Sequence, residues 1–572
     1  MSNEQAETSV ENQAKPECCI KSGGNKRCRC CRCCCFGCLI AVLIAAVPFW
    51  WFCLHTTPLQ ISKETTYVTG PMKSDGKQID YFRAVEELIY PPEMQTDNNG
   101  YRLLVRACGI LERELYGEDA ETYRLQIYEK LALDPNVQPT LAKEGVELLV
   151  GHYIRKLYAP GENKDTADIS KEVRNGVQKV WTLEQYPQMK NYLDGANPFI
   201  DLVGEAVRKP AYCSPYVRKS ENDLMIGIVL HDCQITREIA RSVLARANYR
   251  IGIGDIDGAI YDTVTVYRLG RHASKHGLFV GALIGIALES SAAGVGIGGN
   301  PAHQPAKGQL EHFMKELQSL PERCTFVESF GTERLFALGS IQDIFRGDLH
   351  SDLDMFGPPA WLWLRWSVDR NVVLRRFNEF FTQAEQGSAV FDDASFFKKN
   401  SPSVNPFRYL PVRSRSENVC GILLSLLAPA TNAAEEAWNR SDCCYNMKCL
   451  TLALLLYEKE YGKMPEGDWQ AAVKPYLGKD ADKYFRCPSA GSPDETVYAL
   501  VRYDNAVPVT PETILIAEAE KVKLSAGSGL ILNEPSLFMS KHIGVSGTTL
   551  HSGAVRYQSK EQREEKKETK VK

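Results

Sequence analysis

The run RGDLHSDLDMFG places Asp348, His350, Asp352 and Asp354 at alternating positions. In an extended segment alternate side chains point to one side, so three carboxylates and an imidazole there could surround a divalent cation. These four residues are the candidate metal ligands, and a solvated acidic loop between helices is the competing reading. His231-Asp232-Cys233 offers a base beside a nucleophile. Adjacent side chains on a helix diverge by about 100°, however, and cannot form a dyad. Trp361, Trp363 and Trp366, followed by Asp369 and Arg370, form an aromatic stretch that suits a ligand platform or, at helical spacing, a core. No phosphate-binding loop, dinucleotide fingerprint, G-x-S-x-G or H-E-x-x-H occurs. The sequence therefore assigns no catalytic residue and no cofactor.

The elements that would position such groups begin with an apolar stretch. Phe36 to Leu54, FGCLIAVLIAAVPFWWFCL, carries no charge and would span about 28 Å as a helix, close to the roughly 30 Å hydrocarbon core. Trp50, Trp51 and Phe52 gather at its far end, as at a membrane interface. The stretch ends without the small residues of a signal-peptidase site, which favours a retained anchor. Lys21, Lys26, Arg27, Arg29 and Arg32 precede it, whereas the far flank to Gly70 has only Lys63. The positive-inside rule then leaves the N-terminus in the cytoplasm and the bulk of the chain outside. A second apolar stretch, Gly277 to Ile297, carries Gly277, Gly281 and Gly285 at four-residue spacing, a pattern of close helix packing. Glu289, Ser290 and Ser291 interrupt it, and Arg268, Arg271 and Lys275 precede it, so a buried helix of the body is the better reading.

Of 19 Cys, ten fall before residue 54. Cys18, Cys19, Cys28, Cys30, Cys31, Cys33, Cys34, Cys35 and Cys38 lie among Arg27, Arg29 and Arg32, which favour thiolates. In a reducing cytoplasm such a cluster suits acylation or a soft metal, or is simply a biased juxtamembrane tail. No C-x2-C pair recurs at a finger-like interval and no His lies nearby, so a structural zinc module is unsupported. The nine Cys beyond the anchor are odd in number, so a complete disulfide framework is not implied and the pairing stays open.

From about Asp80 to Gln386 the apolar residues recur with helical period, as at Leu103, Leu104, Ala107 and Leu111. Breakers fall at Pro135, Pro160-Gly161, Pro210 to Pro215, Pro301 to Pro305 and Gly357 to Pro359. Ile239 to Gly270 is the clearest unit. A helix with Ala240, Leu244 and Ala247 meets the turn Gly252-Ile253-Gly254-Asp255, and a second helix is expected near Ala259. The turn resembles that of a tetratricopeptide hairpin, although Arg250 and Thr263 stand where that repeat prefers aromatics and no repeat period is found.

Longer segments resemble a group of uncharacterised, membrane-anchored proteins of planctomycete-type bacteria. They are GPMKSDGKQIDYFRAVEE at 70–87, TDNNGYRLLVRACG at 96–109, the stretch 181–215, the hairpin at 240–273 and LIGIALESSA at 283–292. The resemblance implies architecture and habitat and brings no activity. After a Pro- and Ser-rich stretch at 398–418, Asn446 to Tyr461 reads as a helix stopped by Gly462. The β-like runs TVYALVRY at 496–503, TILIAEA at 513–519 and GTTLHSGAVRY at 547–557 follow. This order, with FRCPSAG between helix and strands, resembles the globular head of type II pseudopilin-like proteins. It implies a long helix packed on a small antiparallel sheet. That family's processing site and hydrophobic helix do not directly precede this head, and His551-Ser552-Gly553 stands where many relatives carry His followed by Asp-Gly.

The organisation expected is a Cys-rich cytoplasmic tail (1–35), a transmembrane helix (36–54) and a juxtamembrane linker (55–79). A helical domain (80–397), a linker (398–430), a pseudopilin-like α+β module (431–557) and a disordered charged tail (558–572) follow. Lys plus Arg number 67 against 71 Asp plus Glu, a net charge of −4, which argues against a nucleic-acid partner. The function expected is that of a non-enzymatic interaction or envelope-structural protein with the membrane and envelope proteins as partners. The alternatives are an exocytoplasmic, metal-dependent enzyme and an accessory component of a secretion or pilus-like assembly.

Overall fold

A computed structural model describes residues 57–110, 119–141, 164–221, 223–225, 231–275, 278–346, 368–386 and 411–488, with strands at 498–502, 514–518, 530–531, 545–550 and 555–559. The described protein is mainly helical, as the apolar period predicts. Among the described residues no helix is long and apolar enough to cross a membrane. The stretch 36–54, the Cys-rich segment before it and residues 560–572 lie outside the described residues.

The first helices are α1 (Tyr81–Ile89), α2 (Gly100–Cys108), α3 (Ala120–Lys130), α4 (Lys164–Gln178) and α5 (Met189–Ala206). Two begin on side-chain caps: the Asp80 carboxylate accepts from the Arg83 N–H, and the Asn99 side-chain oxygen from the Tyr101 N–H. Of the face expected at Leu103, Leu104, Ala107 and Leu111, Leu104 is in the core and Leu103 packs against it, while Leu111 lies outside the described residues. Helix α2 stops at Gly109, whose φ is 74°, and its buried side chains are Tyr101, Leu104 and Val105.

The expected hairpin is α6 (His231–Ile253) and α7 (Ile256–Ser274), with the second helix starting three residues before Ala259. Gly254 closes α6 at φ 85°, in the left-handed region. Asp255 then caps α7, its carboxylate accepting from the Gly258 N–H at 3.0 Å. Ala247 and Ala259 are fully buried, as small residues are where two helices approach closely.

The second apolar stretch forms α8 (Phe279–Ala293), 15 residues that pack against α7. A Cβ at Gly285 would lie 2.3 Å from the Gly270 carbonyl oxygen, and one at Gly270 would lie 2.7 Å from that of Gly285. The close approach at Gly285 is thus a helix crossing inside the body, and Gly277 lies outside the described residues.

Then come α9 (Lys307–Gln318), α10 (Phe326–Arg346), α11 (Arg370–Ala384), α12 (Val412–Tyr461) and α13 (Trp469–Leu477). Two cores organise them. The first gathers Leu104, Phe199, Tyr267, Phe313 and Leu454; the second gathers Val85, Phe330, Leu374 and Phe381. Helix α8 serves both, giving Ile284 and Leu288 to the first and Ala282 and Ile286 to the second. A helix wanted by apolar neighbours on both sides is apolar all round, which is why this stretch looks membrane-like in sequence. Helix α12 also serves both, with Cys420, Leu424 and Trp438 in the second core and Cys443 to Leu456 in the first.

Residues 412–430, expected as linker, are the first turns of α12, which runs for 50 residues. Pro402, Pro406 and Pro411 precede the helix, Pro411 is its N-cap, and Pro429 lies inside it. The helix stops where expected: Gly462 is left-handed at φ 72° and its N–H reaches the Glu458 carbonyl. Strands β1 (Tyr498–Arg502), β2 (Ile514–Glu518), β3 (Leu530–Ile531), β4 (Val545–Leu550) and β5 (Val555–Ser559) form a sheet of order β3-β1-β2-β4-β5. All pairs are antiparallel except β1 with β3. The run at 547–557 thus lies within a hairpin of two strands, while the two-residue β3 has no counterpart in the expected set. Helix α12 lies against β2, β4 and β5.

Candidate functional site

The buried charges of the body are spent on joining helices. Arg246 on α6 and Asp262 on α7 form a bidentate pair at 2.9 and 2.6 Å. The third Arg246 nitrogen reaches Asp201 on α5 at 2.7 Å, and Arg250 reaches Asp262 at 3.0 Å. Asp262 has no exposed surface. Arg250 and Thr263, which depart from the tetratricopeptide pattern, are explained locally. Arg250 supports Asp262, and the buried Thr263 hydroxyl donates to the Ala259 carbonyl of its own helix.

A second network centres on Glu289, the residue that interrupts the apolar stretch. Its carboxylate accepts from Arg323 at 3.0 and 2.6 Å, and Arg271 stands 2.9 Å away. Arg323, in the segment between α9 and α10, also pairs with Asp442 on α12. Arg271 lies 5.2 Å above the Tyr445 ring, and the Tyr445 hydroxyl donates to the Leu317 carbonyl at 2.9 Å. One carboxylate therefore ties α7, α8 and the approach to α10, with Arg323 carrying the link on to α12.

The same part of α12 carries the least expected side chains. Lys448 is fully buried, and its ammonium donates to the Val295 carbonyl at 2.6 Å and the Ala293 carbonyl at 3.4 Å. It sits at the C-terminal end of α8, where the helix dipole and unsatisfied carbonyls favour a cation. Burial pushes the Lys448 ammonium down to about 7. The neighbouring Cys449 thiol is pushed by burial up to about 12, so it remains protonated at neutral pH.

Two of the nine body cysteines come together. Cys443 on α12 and Cys487, just beyond the short 3-10 turn Ala481–Phe485, have sulfurs 2.8 Å apart. Beside them the Asn446 side-chain amide donates to the Arg486 carbonyl at 3.0 Å, fixing the 486–487 backbone against the helix. Cys108, Cys324 and Cys420 stand elsewhere, their thiols raised by burial to about 12, 11 and 12. The sequence contained both members of the pair, but spacing carries no pairing information across 44 residues.

Asp348, His350, Asp352 and Asp354 lie outside the described residues, as do Trp361, Trp363 and Trp366. Among the described residues no group of three or more His, Cys, Asp or Glu could hold a metal ion. In the His231-Asp232-Cys233 run, Cys233 is buried in the first core. His272 is buried too, its ring nitrogen 3.0 Å from the Val207 carbonyl. The arrangement as a whole braces helices. Comparison of the chain with protein-family models, with curated proteins and with solved structures finds no match.

Proposed function

We propose that the protein is a single-pass membrane protein whose exocytoplasmic body serves a non-enzymatic interaction or envelope-structural role. The observation that carries this reading is α12. At 50 residues it is about 75 Å long, contributes to both cores and lies against the sheet. A long helix packed into both cores and held to α8 through the Arg323 bridge between Asp442 and Glu289 suits a part that holds surfaces at fixed separation. The uncharged stretch 36–54 and its basic near flank supply the anchor and its orientation in this reading.

A second reading has a specific observation in its favour. A long helix leading into a small, mostly antiparallel sheet is the arrangement implied by the resemblance to pseudopilin-like heads. It supports an accessory role in a secretion or pilus-like assembly.

Crosslinking of the tagged full-length protein in native membranes, followed by pull-down and mass spectrometry, separates these readings. Enrichment of envelope proteins supports the structural role, and enrichment of pilin-like proteins supports the second. Recovery of the protein alone overturns both and turns attention to an enzyme using the 348–354 segment. Divalent-ion calorimetry on wild type and a D348A/H350A/D352A variant then tests that segment directly.

A further inference from the structure

We propose that Cys443 and Cys487 are an oxidisable pair, closing to a disulfide that staples the long helix to the segment entering the sheet. The sulfurs already approach to 2.8 Å without any side chain between them. The helix holds one partner, and the Asn446 bond to the Arg486 carbonyl positions the other. Both residues are buried, Cys443 completely and Cys487 with 5% exposure. Oxidation therefore belongs to folding, before residues 486–488 settle against α12, and the finished bond is shielded from reductants. Cys444, adjacent in sequence, points elsewhere because successive side chains on a helix diverge by about 100°.

The co-reactant is a disulfide donor, either a low-molecular-weight disulfide or an oxidised dithiol protein. One cysteine thiolate attacks a donor sulfur and expels the donor's other sulfur as a thiolate, giving a mixed disulfide. The second cysteine thiolate then attacks the protein sulfur of that mixed disulfide and expels the remaining donor sulfur. Two electrons pass from the cysteine pair to the donor, and the two thiol protons end on the donor thiols. Persistence of the bond in the cell rests on the exocytoplasmic reading of the body, since disulfides last in oxidising compartments. Closure itself does not.

The test uses purified, reduced, full-length protein refolded with a low-molecular-weight disulfide, alkylated and digested with trypsin without reduction. The expected product links peptide 441–448 to peptide 487–502, with the mass of the two reduced peptides less two hydrogens plus the one alkyl group on Cys444. Cys444→Ser should keep the link and Cys443→Ser should lose it. The linked wild type should melt several degrees above the reduced form, and reductant should abolish the difference. Full alkylation of Cys443 and Cys487 in the treated wild type, or a link that survives Cys443→Ser and vanishes in Cys444→Ser, would overturn the proposal. If a variant fails to fold, fragmentation of the linked wild-type peptide decides the case by showing whether the alkylated, unlinked cysteine is Cys444 or Cys443. Alkylation of the protein in native membranes reports separately on the compartment: a pair that closes in vitro but is found reduced there counts against the exocytoplasmic placement and leaves the pair standing.

Discussion

At the scale of single residues, the body's stability hangs on charges that have been taken out of water. Asp262 faces Arg246 and Arg250, and Arg246 has only the exposed Asp201 as a second carboxylate. Asp262→Asn keeps the shape but strands a guanidinium in the core, and breaking a buried pair in this way costs about 3–5 kcal/mol. Denaturant unfolding of the full-length variant should show that loss, and a change below about 1 kcal/mol would mean that water replaces the carboxylate. Lys448 gives a pH signature. Its folded pKa of about 7 lies below the roughly 10.4 of an unfolded lysine, so between these values the unfolded chain binds the extra proton. Stability from this group therefore rises with pH across that window, by up to about 1.4 kcal/mol per pH unit. The unfolding free energy of wild type minus that of Lys448→Met should rise from pH 7 to pH 10; a flat value would place the ammonium in a wetter site. Neither residue stood out in the sequence. A lone Lys in NMKCLTLALLL, or an Arg and an Asp 16 positions apart, becomes informative only once two helices are folded against each other.

At the scale of elements, the stop signals were readable and the partners were not. Gly254, Asp255 and Gly462 mark helix ends in the sequence because their roles are local: a left-handed backbone, a side-chain cap, a left-handed stop. The limits of 412–430 were missed because a Pro- and Ser-rich entry resembles a linker until Cys420 and Leu424 find a core to fill. Gly277, Gly281 and Gly285 announced a close approach without naming the surroundings. The structure supplies them, since Gly285 meets Gly270 of α7 across a helix crossing. Gly285→Leu would drive a side chain into the Gly270 backbone, which cannot withdraw without moving α7. Overpacking of this kind costs roughly 1–3 kcal/mol or more, whereas a lipid-facing glycine would accept leucine freely. Thermal unfolding of the purified full-length variant distinguishes the two, and an unchanged or raised midpoint would contradict the buried crossing.

For the whole molecule, the question is what makes two cores behave as one. Helix α8 is wedged between them, and α12 crosses from the second core at Trp438 to the first at Cys443 within a single helical run. The Arg323 bridge from Glu289 to Asp442 binds these two shared helices to each other at the crossing point. Cooperativity between cores should then depend on the continuity of α12 just there. Asn439→Pro removes one backbone hydrogen bond and kinks the helix between Trp438 and Cys443, at a cost of about 3 kcal/mol. In wild type, hydrogen-exchange protection of α5–α7 and of α10–α11 should collapse at the same denaturant concentration. In the variant the interrupted α12 no longer couples the cores, so the collapse should split into two midpoints without either core losing its native protection in water. Coincident midpoints in the variant would show that α8 alone couples the cores. The long helix would then be a spacer between the body and the sheet, and not the strut that unites them.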